Sequence, residues 1–334
     1  MTSSTPLQLS HLPRAKSRGQ WPSLMAEAFD GGVSTRLAKQ TAHTVLQYDL
    51  VDEGDHLLVA VSGGKDSYTL LEMLWAAVHT APFSFSLTAV HLDQVQPGYD
   101  GQPLVDWLVS STMPYEILRK DTYAQVLEHT VEGGTYCAMC SRLRRGLLYD
   151  AAARLGCNKI ALGHHLDDSL ETYWMNAVYG ARLAAMPAVY TTDDGRFDVV
   201  RPLLGCREVD IALHAERRAY PILPCNLCGS QSGLKRQETK ALLAELDARI
   251  PGFTSNLGKA LEHVVPSHLL DVDVARAWAQ RPSDIRPRDK AQPRPGASAE
   301  VVATGGKTLP ILSSTLAVVT TSTSSLRGEQ ERKT

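Results

Sequence analysis

The chain has 334 residues, with 34 Lys plus Arg against 36 Asp plus Glu and a formal net charge of -2, which is enough for one large or two modest domains. This balance excludes a globally basic nucleic-acid binder, so any polyanion must be held by a local patch. No apolar run approaches the roughly 20 residues that span a bilayer, and the N-terminus lacks the apolar stretch of a secretory signal. We therefore predict a soluble cytoplasmic protein without membrane association, and we interpret its six cysteines as ligands or reactive thiols rather than disulfides.

The two ends of the chain differ in composition from its middle. Residues 1–35 are rich in Ser, Thr, Pro and basic residues without a sustained hydrophobic period, which predicts a flexible arm with one helical turn near Trp21–Phe29. Later, prolines alternate with Arg and Lys, so we predict a disordered, low-complexity tail over 281–334, with a weak strand pattern at 309–319. The ordered domain is then predicted to occupy residues 36–280.

Between the ends, short apolar runs typical of buried strands alternate with segments of helical period. The predicted strands are 56–62, 85–93, 115–121, 159–165 and 199–204, and the clearest predicted helices are 138–155 and 166–180. This alternation predicts an α/β fold with a doubly wound, mainly parallel sheet. Ligands of such sheets bind at the carboxyl ends of strands, where the motifs SGGKDS, HLD and GHHLDD fall.

The motif SGGKDS, at 62–67, joins a predicted strand to a predicted helix. Its two glycines let backbone N–H groups turn toward an anion, and the helix N-terminus adds unpaired donors and a positive dipole end. The spacing of the common P-loop, G-x-x-x-x-G-K-S/T, is absent. A tight Gly-Gly turn capped by an Asp or Ser side chain is the alternative interpretation. The residues predicted to bind phosphate are Ser62, Gly63, Gly64, Lys65, Asp66 and Ser67.

The motif GHHLDDSLE places three carboxylates at the start of a predicted helix. Asp167 and Glu171 are four apart and Asp168 and Glu171 three apart, so they can share a face. Carboxylates beside a triphosphate suit Mg²⁺, whereas acids in a first helical turn can instead simply complement the dipole. His164 and His165 are weaker candidates, and we expect at least one of them to be structural.

Four of the six cysteines form two C-x-x-C pairs. Cys137 and Cys140 lie in CAMC, and Cys225 and Cys228 lie in CNLC. Two such pairs are typical of a four-thiolate zinc site, although this separation is long for a compact zinc ribbon. The remaining cysteines, which we predict to be buried and unreactive, are Cys157 and Cys206.

The motifs resemble those of a known family. SGGKDS resembles the PP-loop of the ATP pyrophosphatase superfamily, whose members split ATP between the α and β phosphates and grip the departing pyrophosphate. The wider set resembles the tRNA 2-thiocytidine synthetase family (TtcA), in order over about residues 40–272. Its motifs are SGGKDSYTLL, LDQVQPG, CAMCSRLRRGLLYDAA, KIALGHHLDDSLET, AMP, RPLLGCRE, PILPCNLCGSQ and VVPSHLLD. The implied fold is that of a PP-loop ATPase, of the HUP or adenine nucleotide alpha hydrolase-like type.

The resemblance also implies the cofactors. In that family a 4Fe–4S cluster is held by three cysteines, which correspond to Cys137, Cys140 and Cys228, and one iron has no protein ligand. Cys225 competes for the third position. We therefore expect ATP, Mg²⁺ and a 4Fe–4S cluster rather than zinc. The residues expected to support catalysis are Lys65, Asp66, Asp167 and Asp168.

The implied reaction replaces the C2 oxygen of cytidine at position 32 of tRNA by sulfur. Attack of that oxygen on the α-phosphate of ATP gives an adenylated base, and sulfur then displaces AMP. The open iron site is expected to hold hydrosulfide that a cysteine desulfurase supplies. An unpaired anticodon-loop base can be splayed into a pocket. The family resemblance also suggests a homodimer.

Local basic patches are needed for a near-neutral chain to hold tRNA. The candidates for phosphate contacts are Arg142, Arg144, Arg145, Arg207, Arg217, Arg218, Lys235 and Arg236, and for each the alternative is a solvated helix face. Two rival functions stay open. One is a different PP-loop enzyme, such as a tRNA-lysidine synthetase or a thiolase acting on another base. The other is a non-catalytic, zinc-bearing RNA-binding module, which would leave SGGKDS unexplained.

Overall fold

The computed structural model describes residues 7, 9, 12–122, 136–223 and 232–282, those at 136–141 and 232–234 by their backbone alone. The chain divides into two compact units, Met1–Val264 and Val265–Thr334. The predicted boundaries at residues 35 and 280 remain predictions. The second cysteine pair and the strand pattern at 309–319 lie outside the described residues.

A six-stranded sheet forms the centre of the first unit. Its strands are β1 His56–Ala60, β2 Ser86–Asp93, β3 Tyr115–Arg119, β4 Lys159–Ala161, β5 Val189–Thr191 and β6 Asp198–Val200. They lie in the order β3-β2-β1-β4-β6-β5, and every neighbouring pair is parallel except β5 with β6. The predicted doubly wound, mainly parallel sheet is confirmed. Strand β5 was not predicted, because Val189 and Thr191 are exposed and the strand has no buried apolar run.

Helices connect the strands and continue beyond them. The helices described in the first unit are α1 Trp21–Ala26, α2 Gly32–Gln47, α3 Lys65–Thr80, α4 Gln102–Ser111, α5 Tyr136–Leu155, α6 Leu166–Tyr179, α7 Glu208–Arg217, α8 Ser232–Arg249 and α9 Phe253–Glu262. The second unit contains the 3-10 turn Pro266–His268 and helix α10 Val272–Ala279. Within the described ranges, no helix combines the length and the apolar character that crossing a membrane requires.

Strand β1 is buried on both faces, as its continuous apolar run predicts. Leu57 and Val59 pack into one hydrophobic cluster with side chains of α2 and α3. Leu58 points the other way, because successive strand residues alternate between faces, and packs into a second cluster with Ile160 of β4 and Ala152 of α5. The sheet therefore carries a core on each side.

The described part of the predicted N-terminal arm is packed against this core. Trp21 and Met25 of α1 are fully buried. The indole nitrogen of Trp21 donates to the Thr80 hydroxyl at 3.2 Å, and its ring meets Phe83 edge-on at 5.4 Å. The expected helical turn is present, but the expectation of a loose arm is wrong for this stretch. The Ser and Pro content concealed a helix whose apolar side chains fill space beside α3.

A buried charged network joins three helices near the end of α7. Glu72 of α3 is 2% exposed and lies 2.9 Å from His214 Nε2, while Arg218 and the Tyr220 hydroxyl donate to the same carboxylate. The other ring nitrogen of His214 lies 2.8 Å from the Ser34 hydroxyl of α2. Burial alone would raise the pKa of Glu72, but the His214 hydrogen bond and the Arg218 charge outweigh it and lower that pKa.

We expect Glu72→Ala to lower the free energy of unfolding by about 3–5 kcal/mol, because it leaves a buried cation without its partner. Since the folded-state pKa of Glu72 is lowered, the stabilisation is present above its ordinary value of 4.5 and is lost as the pH falls below it. Denaturant titrations at neutral and acidic pH measure both effects. Glu216→Ala, at an exposed position of α7, is the control and should change stability by less than about 0.5 kcal/mol. An equal loss in both variants would contradict the network's role.

Candidate active site

The order of the strands places two of the motifs beside one crevice. From β1 the chain runs to β2 and β3 on one side, and it then returns to β4 on the other side of β1. In a doubly wound sheet, ligands bind where the strand order reverses in this way. The motifs SGGKDS and GHHLDD span the loops that follow β1 and β4 and the first residues of the next helices. The fold therefore brings together the two motifs that the sequence separates.

The SGGKDS loop is held in an open turn by its own serines. Ser67 Oγ accepts from the Ser62 N–H at 3.1 Å and donates to the Gly64 carbonyl at 2.8 Å. Gly63 has a φ of +85°, a left-handed conformation that favours glycine. Its carbonyl accepts from the Leu223 N–H at 2.9 Å. Helix α3 begins directly after Gly64, so its N-terminus is available to an anion.

The loop after β4 lies against the first turn of α3. A Cβ added at Gly163 would lie 3.1 Å from the backbone carbon and oxygen of Asp66 and 3.3 Å from the Ser67 nitrogen. Glycine at this position therefore permits the close approach of the two motifs. His165, buried at the same place, has its Nε2 atom 3.7 Å from Asp66 Oδ1.

Lys65 lies between two carboxylates. Its Nζ atom is 3.1 Å from Asp66 Oδ1 and 3.1 Å from Glu208 Oε1. Burial alone would lower the pKa of Lys65, but the two carboxylates outweigh it and raise that pKa. Burial would likewise raise the pKa of Glu208, yet Lys240 and Lys65 lower it to about 2. Lys65 is therefore a charged group with a fixed position.

The carboxylates of GHHLDDSLE have internal partners. Asp167 accepts from Arg207 Nε at 3.3 Å and from the Glu208 N–H at 2.7 Å. Asp168 and His165 form a reciprocal cap at the start of α6. Arg236 donates to Asp168 at 2.6 Å and to Glu171 at 2.8 Å. The prediction that one of the two histidines is structural is confirmed by His165.

His164, its neighbour, has a different environment. Its Nδ1 atom accepts from Arg201 Nε at 3.2 Å. Burial, reinforced by the Arg201 charge, lowers the pKa of His164. The ring is therefore neutral near pH 7, since the ordinary pKa of histidine is already 6.5. We assign the His164 ring no role in the reaction.

A metal ion would find one unsatisfied oxygen here. No three acidic, histidine or cysteine side chains in the described part of the chain are grouped as a metal site. Asp66 Oδ1, however, is buried and accepts no hydrogen bond, although Lys65 Nζ lies 3.1 Å away. Mg²⁺ is commonly held by one or two carboxylates together with substrate phosphates. This oxygen, at the start of α3, is suited to that role.

The predicted burial of the two cysteines outside the C-x-x-C pairs is confirmed. Cys157 and Cys206 are buried, and burial raises the pKa of the first thiol to about 11 and of the second to about 12. Both are therefore neutral thiols near pH 7. Positions 137 and 140 fall in the first turns of α5. Residues 225 and 228 lie outside the described residues. The described segment that precedes them ends at Leu223, whose N–H donates a hydrogen bond to the Gly63 carbonyl.

The candidate tRNA-contact residues fall into two groups. Arg142, Arg144 and Arg145 are exposed on α5. The charge of Arg144 also adds to the effect of burial that lowers the pKa of His91. His91 lies near the end of β2, so this part of α5 is close to the carboxyl edge of the sheet.

The second group is mostly engaged within the protein. Arg207, Arg218 and Arg236 form ion pairs with carboxylates. Arg217 donates to the backbone carbonyls at positions 30 and 31. Lys235 lies 5.1 Å from the centre of the Tyr179 ring. Most of these residues therefore stabilise the fold, and no local sequence pattern distinguishes them from surface cations.

Comparisons with known proteins agree with this geometry. A family model described as a PP-loop domain, ATP_bind_3, matches residues 33–220. The chain is 52% identical over 244 residues to a tRNA-cytidine(32) 2-sulfurtransferase of Anaeromyxobacter sp. (strain K), covering 73% of this chain and 84% of that protein. It is 48% identical over 253 residues to the Bordetella avium (strain 197N) protein of the same name, covering 76% and 80%.

One solved structure shares the fold at lower identity. It is the U34-tRNA thiolase NcsA from Methanococcus maripaludis with its 4Fe-4S cluster. The TM-score is 0.54 at 21% identity, and the match covers 70% of this chain and 81% of that one.

We expect Gly63→Ala to lower the unfolding free energy by roughly 1–2 kcal/mol, the cost of a left-handed conformation for a residue with a Cβ. The new Cβ would also lie 2.7 Å from Leu223 Cδ1. Gly64→Ala is the control in the same loop, because its φ is -86° and its added Cβ makes only an ordinary contact at 3.6 Å. Thermal unfolding without nucleotide compares them. Equal midpoints would show that the loop does not need this turn.

Proposed function

The chain belongs to the PP-loop family of tRNA-cytidine(32) 2-sulfurtransferases, and we propose that it is an ATP-dependent tRNA thiolase that forms 2-thiocytidine at position 32. The observation that carries this proposal is the backbone hydrogen bond from the Leu223 N–H to the Gly63 carbonyl, at 2.9 Å. It joins the nucleotide loop to the segment that leads into the second cysteine pair. An enzyme that activates a base with ATP and then delivers sulfur to it needs its nucleotide loop and its cysteines close together.

The loop residues suit adenylation. The C2 oxygen of cytosine leaves poorly as oxide, so attack of this oxygen on the α-phosphorus of ATP would convert it into a leaving group. The bond from the α-phosphorus to the bridging oxygen breaks, and pyrophosphate departs. The backbone N–H groups at the start of α3 and the Lys65 ammonium would hold the pyrophosphate. Sulfide attack at C2 then releases AMP.

A magnesium ion would be held at the start of α3. Asp66 offers an unsatisfied buried oxygen, and the phosphates of ATP would supply further ligands. Asp167 and Asp168 lie in the first turn of α6, which follows the loop after β4, but each already accepts a hydrogen bond from an arginine. In our proposal they act on the nucleotide through water or through these cations.

The donor set fits the cluster that the family resemblance implies. Positions 137 and 140 are three apart on a helix and therefore share a face of it. Cys228 follows Leu223 by five residues, a reach of at most about 18 Å. Three thiolates are suitable ligands for a 4Fe–4S cluster, which when bound would leave one iron open to soft sulfur ligands. Cys137, Cys140 and Cys228 are the proposed ligands.

The remaining partners are also part of the proposal. The exposed arginines of α5, two turns from position 137, would contact tRNA phosphates. A cysteine desulfurase would supply the sulfur, and the active form would be a homodimer in the cytoplasm. Nucleoside analysis of tRNA from cells that lack the protein tests the function directly. Loss of a different thiolated base, with 2-thiocytidine retained, would favour the rival thiolase.

We expect Lys65→Ala and Asp66→Ala each to reduce 2-thiocytidine formation by at least about 100-fold, since both remove charge at the proposed phosphate and metal site. Iron content should be unchanged, because neither residue is a proposed cluster ligand. Lys39→Ala, at an exposed position of α2, is the control for the lost positive charge and should retain activity. Assays of AMP, pyrophosphate and 2-thiocytidine with reconstituted enzyme measure this. Near-normal activity of either loop variant would remove the adenylation model.

The two cysteine pairs allow a second test. With three cluster ligands, Cys137→Ala, Cys140→Ala and Cys228→Ala lose the iron–sulfur absorbance and thiolation, whereas Cys225→Ala keeps the cluster. Cys157→Ala is the control, because its thiol is buried and neutral. Anaerobic reconstitution with iron and sulfide counts gives the answer. Equal loss in all four paired variants, or bound zinc without iron, would instead indicate a four-thiolate centre.

A further inference from the structure

An exposed aromatic and aliphatic surface lies at the end of α6. We call residues 178–184 the α6 tip. Tyr179 is 55% exposed and Leu183 is 69% exposed. The ammonium group of Lys235, on α8, lies 5.1 Å from the centre of the Tyr179 ring, within the range of a cation–π interaction. The tip therefore presents a ring face, an aliphatic side chain and a cation together.

The α6 tip is fixed in shape by Asn176. The Asn176 side-chain amide donates to the Ala184 carbonyl at 2.7 Å, and its side-chain oxygen accepts from Arg182 Nη2 at 2.9 Å. The Asn176 carbonyl also accepts from the Arg182 N–H at 3.0 Å. Ala181 adopts a φ of +48°, which few residues other than glycine do. A surface ordered before binding loses less entropy when a ligand arrives.

The chain returns from the tip to the active-site edge. The Pro187 carbonyl accepts from Arg201 Nη1 at 2.6 Å, and Arg201 Nε donates to His164 in the loop after β4. Lys235 lies three residues into α8, which begins at Ser232, four residues after Cys228. The α6 tip is thus connected to the loop after β4 through Arg201 and lies against α8 at Lys235.

The charge around the tip favours a polyanion. From Thr172 to Thr192 the sequence contains Arg182 and no acidic residue. In the described ranges Lys235 has no ion pair with a carboxylate, whereas its neighbour Arg236 is neutralised by Asp168 and Glu171. Aromatic rings flanked by cations are the usual means of holding unpaired bases, since every base has a π-face and a phosphate beside it.

We propose that the α6 tip is a stacking platform for unpaired bases of the RNA substrate, with Tyr179 and Leu183 against the bases and Lys235 and Arg182 near the phosphates. This inference rests on the proposed function and adds to it the surface that holds the anticodon loop open. The platform is a binding surface only, because its residues take no part in the chemical steps.

The test is the affinity of the reconstituted full-length protein for two RNAs, an anticodon stem–loop and a fully paired hairpin of equal length. Tyr179→Ala should weaken stem–loop binding by roughly fivefold or more, as removal of an aromatic stacking partner does. Leu183→Ala should also weaken it. Hairpin binding should change little. Tyr179→Phe keeps the ring and should restore affinity. In thiolation assays the alanine variants should raise KM for tRNA and leave kcat unchanged.

Matched controls are Tyr115→Ala, 40% exposed at the amino end of β3, and Leu213→Ala, 49% exposed on α7. Neither should affect binding. Equal weakening for loop and hairpin, or unchanged binding in the tip variants, overturns the platform. A change in molecular mass without a change in RNA affinity also overturns it and assigns the tip to contact with a second copy of the chain. Failure of the proposed function is a separate result, in which the unaltered protein forms no 2-thiocytidine.

Discussion

The contact between Gly63 and Leu223 is the constraint on which the rest of the active-site edge depends. Leu223 places its side chain 2.7 Å from where a Cβ of Gly63 would be, and its N–H is bonded to the Gly63 carbonyl at 2.9 Å. The Tyr68 hydroxyl donates to the Pro221 carbonyl at 3.0 Å, and Tyr220 belongs to the buried network around Glu72. The nucleotide loop is thus fixed from β1 on one side and from a charged core network on the other.

Charges at this edge are paired within the protein. Ion pairs here join Lys65 with Glu208, Arg207 with Asp167, and Arg236 with Asp168. Because the pKa of Glu208 lies at about 2, its carboxylate stays ionised and holds Lys65 charged and in place. An arriving triphosphate therefore competes for a cation that is already positioned, and little reorganisation is needed when charge develops.

The sequence predicted the sheet because β1 is a continuous apolar run between recognisable turns, and it predicted that SGGKDS and GHHLDD lie at the same edge of the sheet because both motifs follow strands. It did not reveal Glu208, since an acid in a first helical turn is usually a dipole partner and only the fold brings it to Lys65. It misjudged residues 21–26, where composition suggested a loose arm but Trp21 is fully buried. Contacts between distant segments have no local pattern, so these features required the structure.

The same constraint separates the competing functions on physical grounds. A zinc-bearing RNA-binding module needs its cysteines near one another but has no reason to join them to a phosphate-binding turn. Here Leu223, two residues before Cys225, contributes to that turn, and glycine at position 163 permits the β4 loop to approach it. A lysidine synthetase would use the turn but would gain nothing from the thiols. Only a reaction that uses ATP to activate a base for sulfur transfer would use both parts.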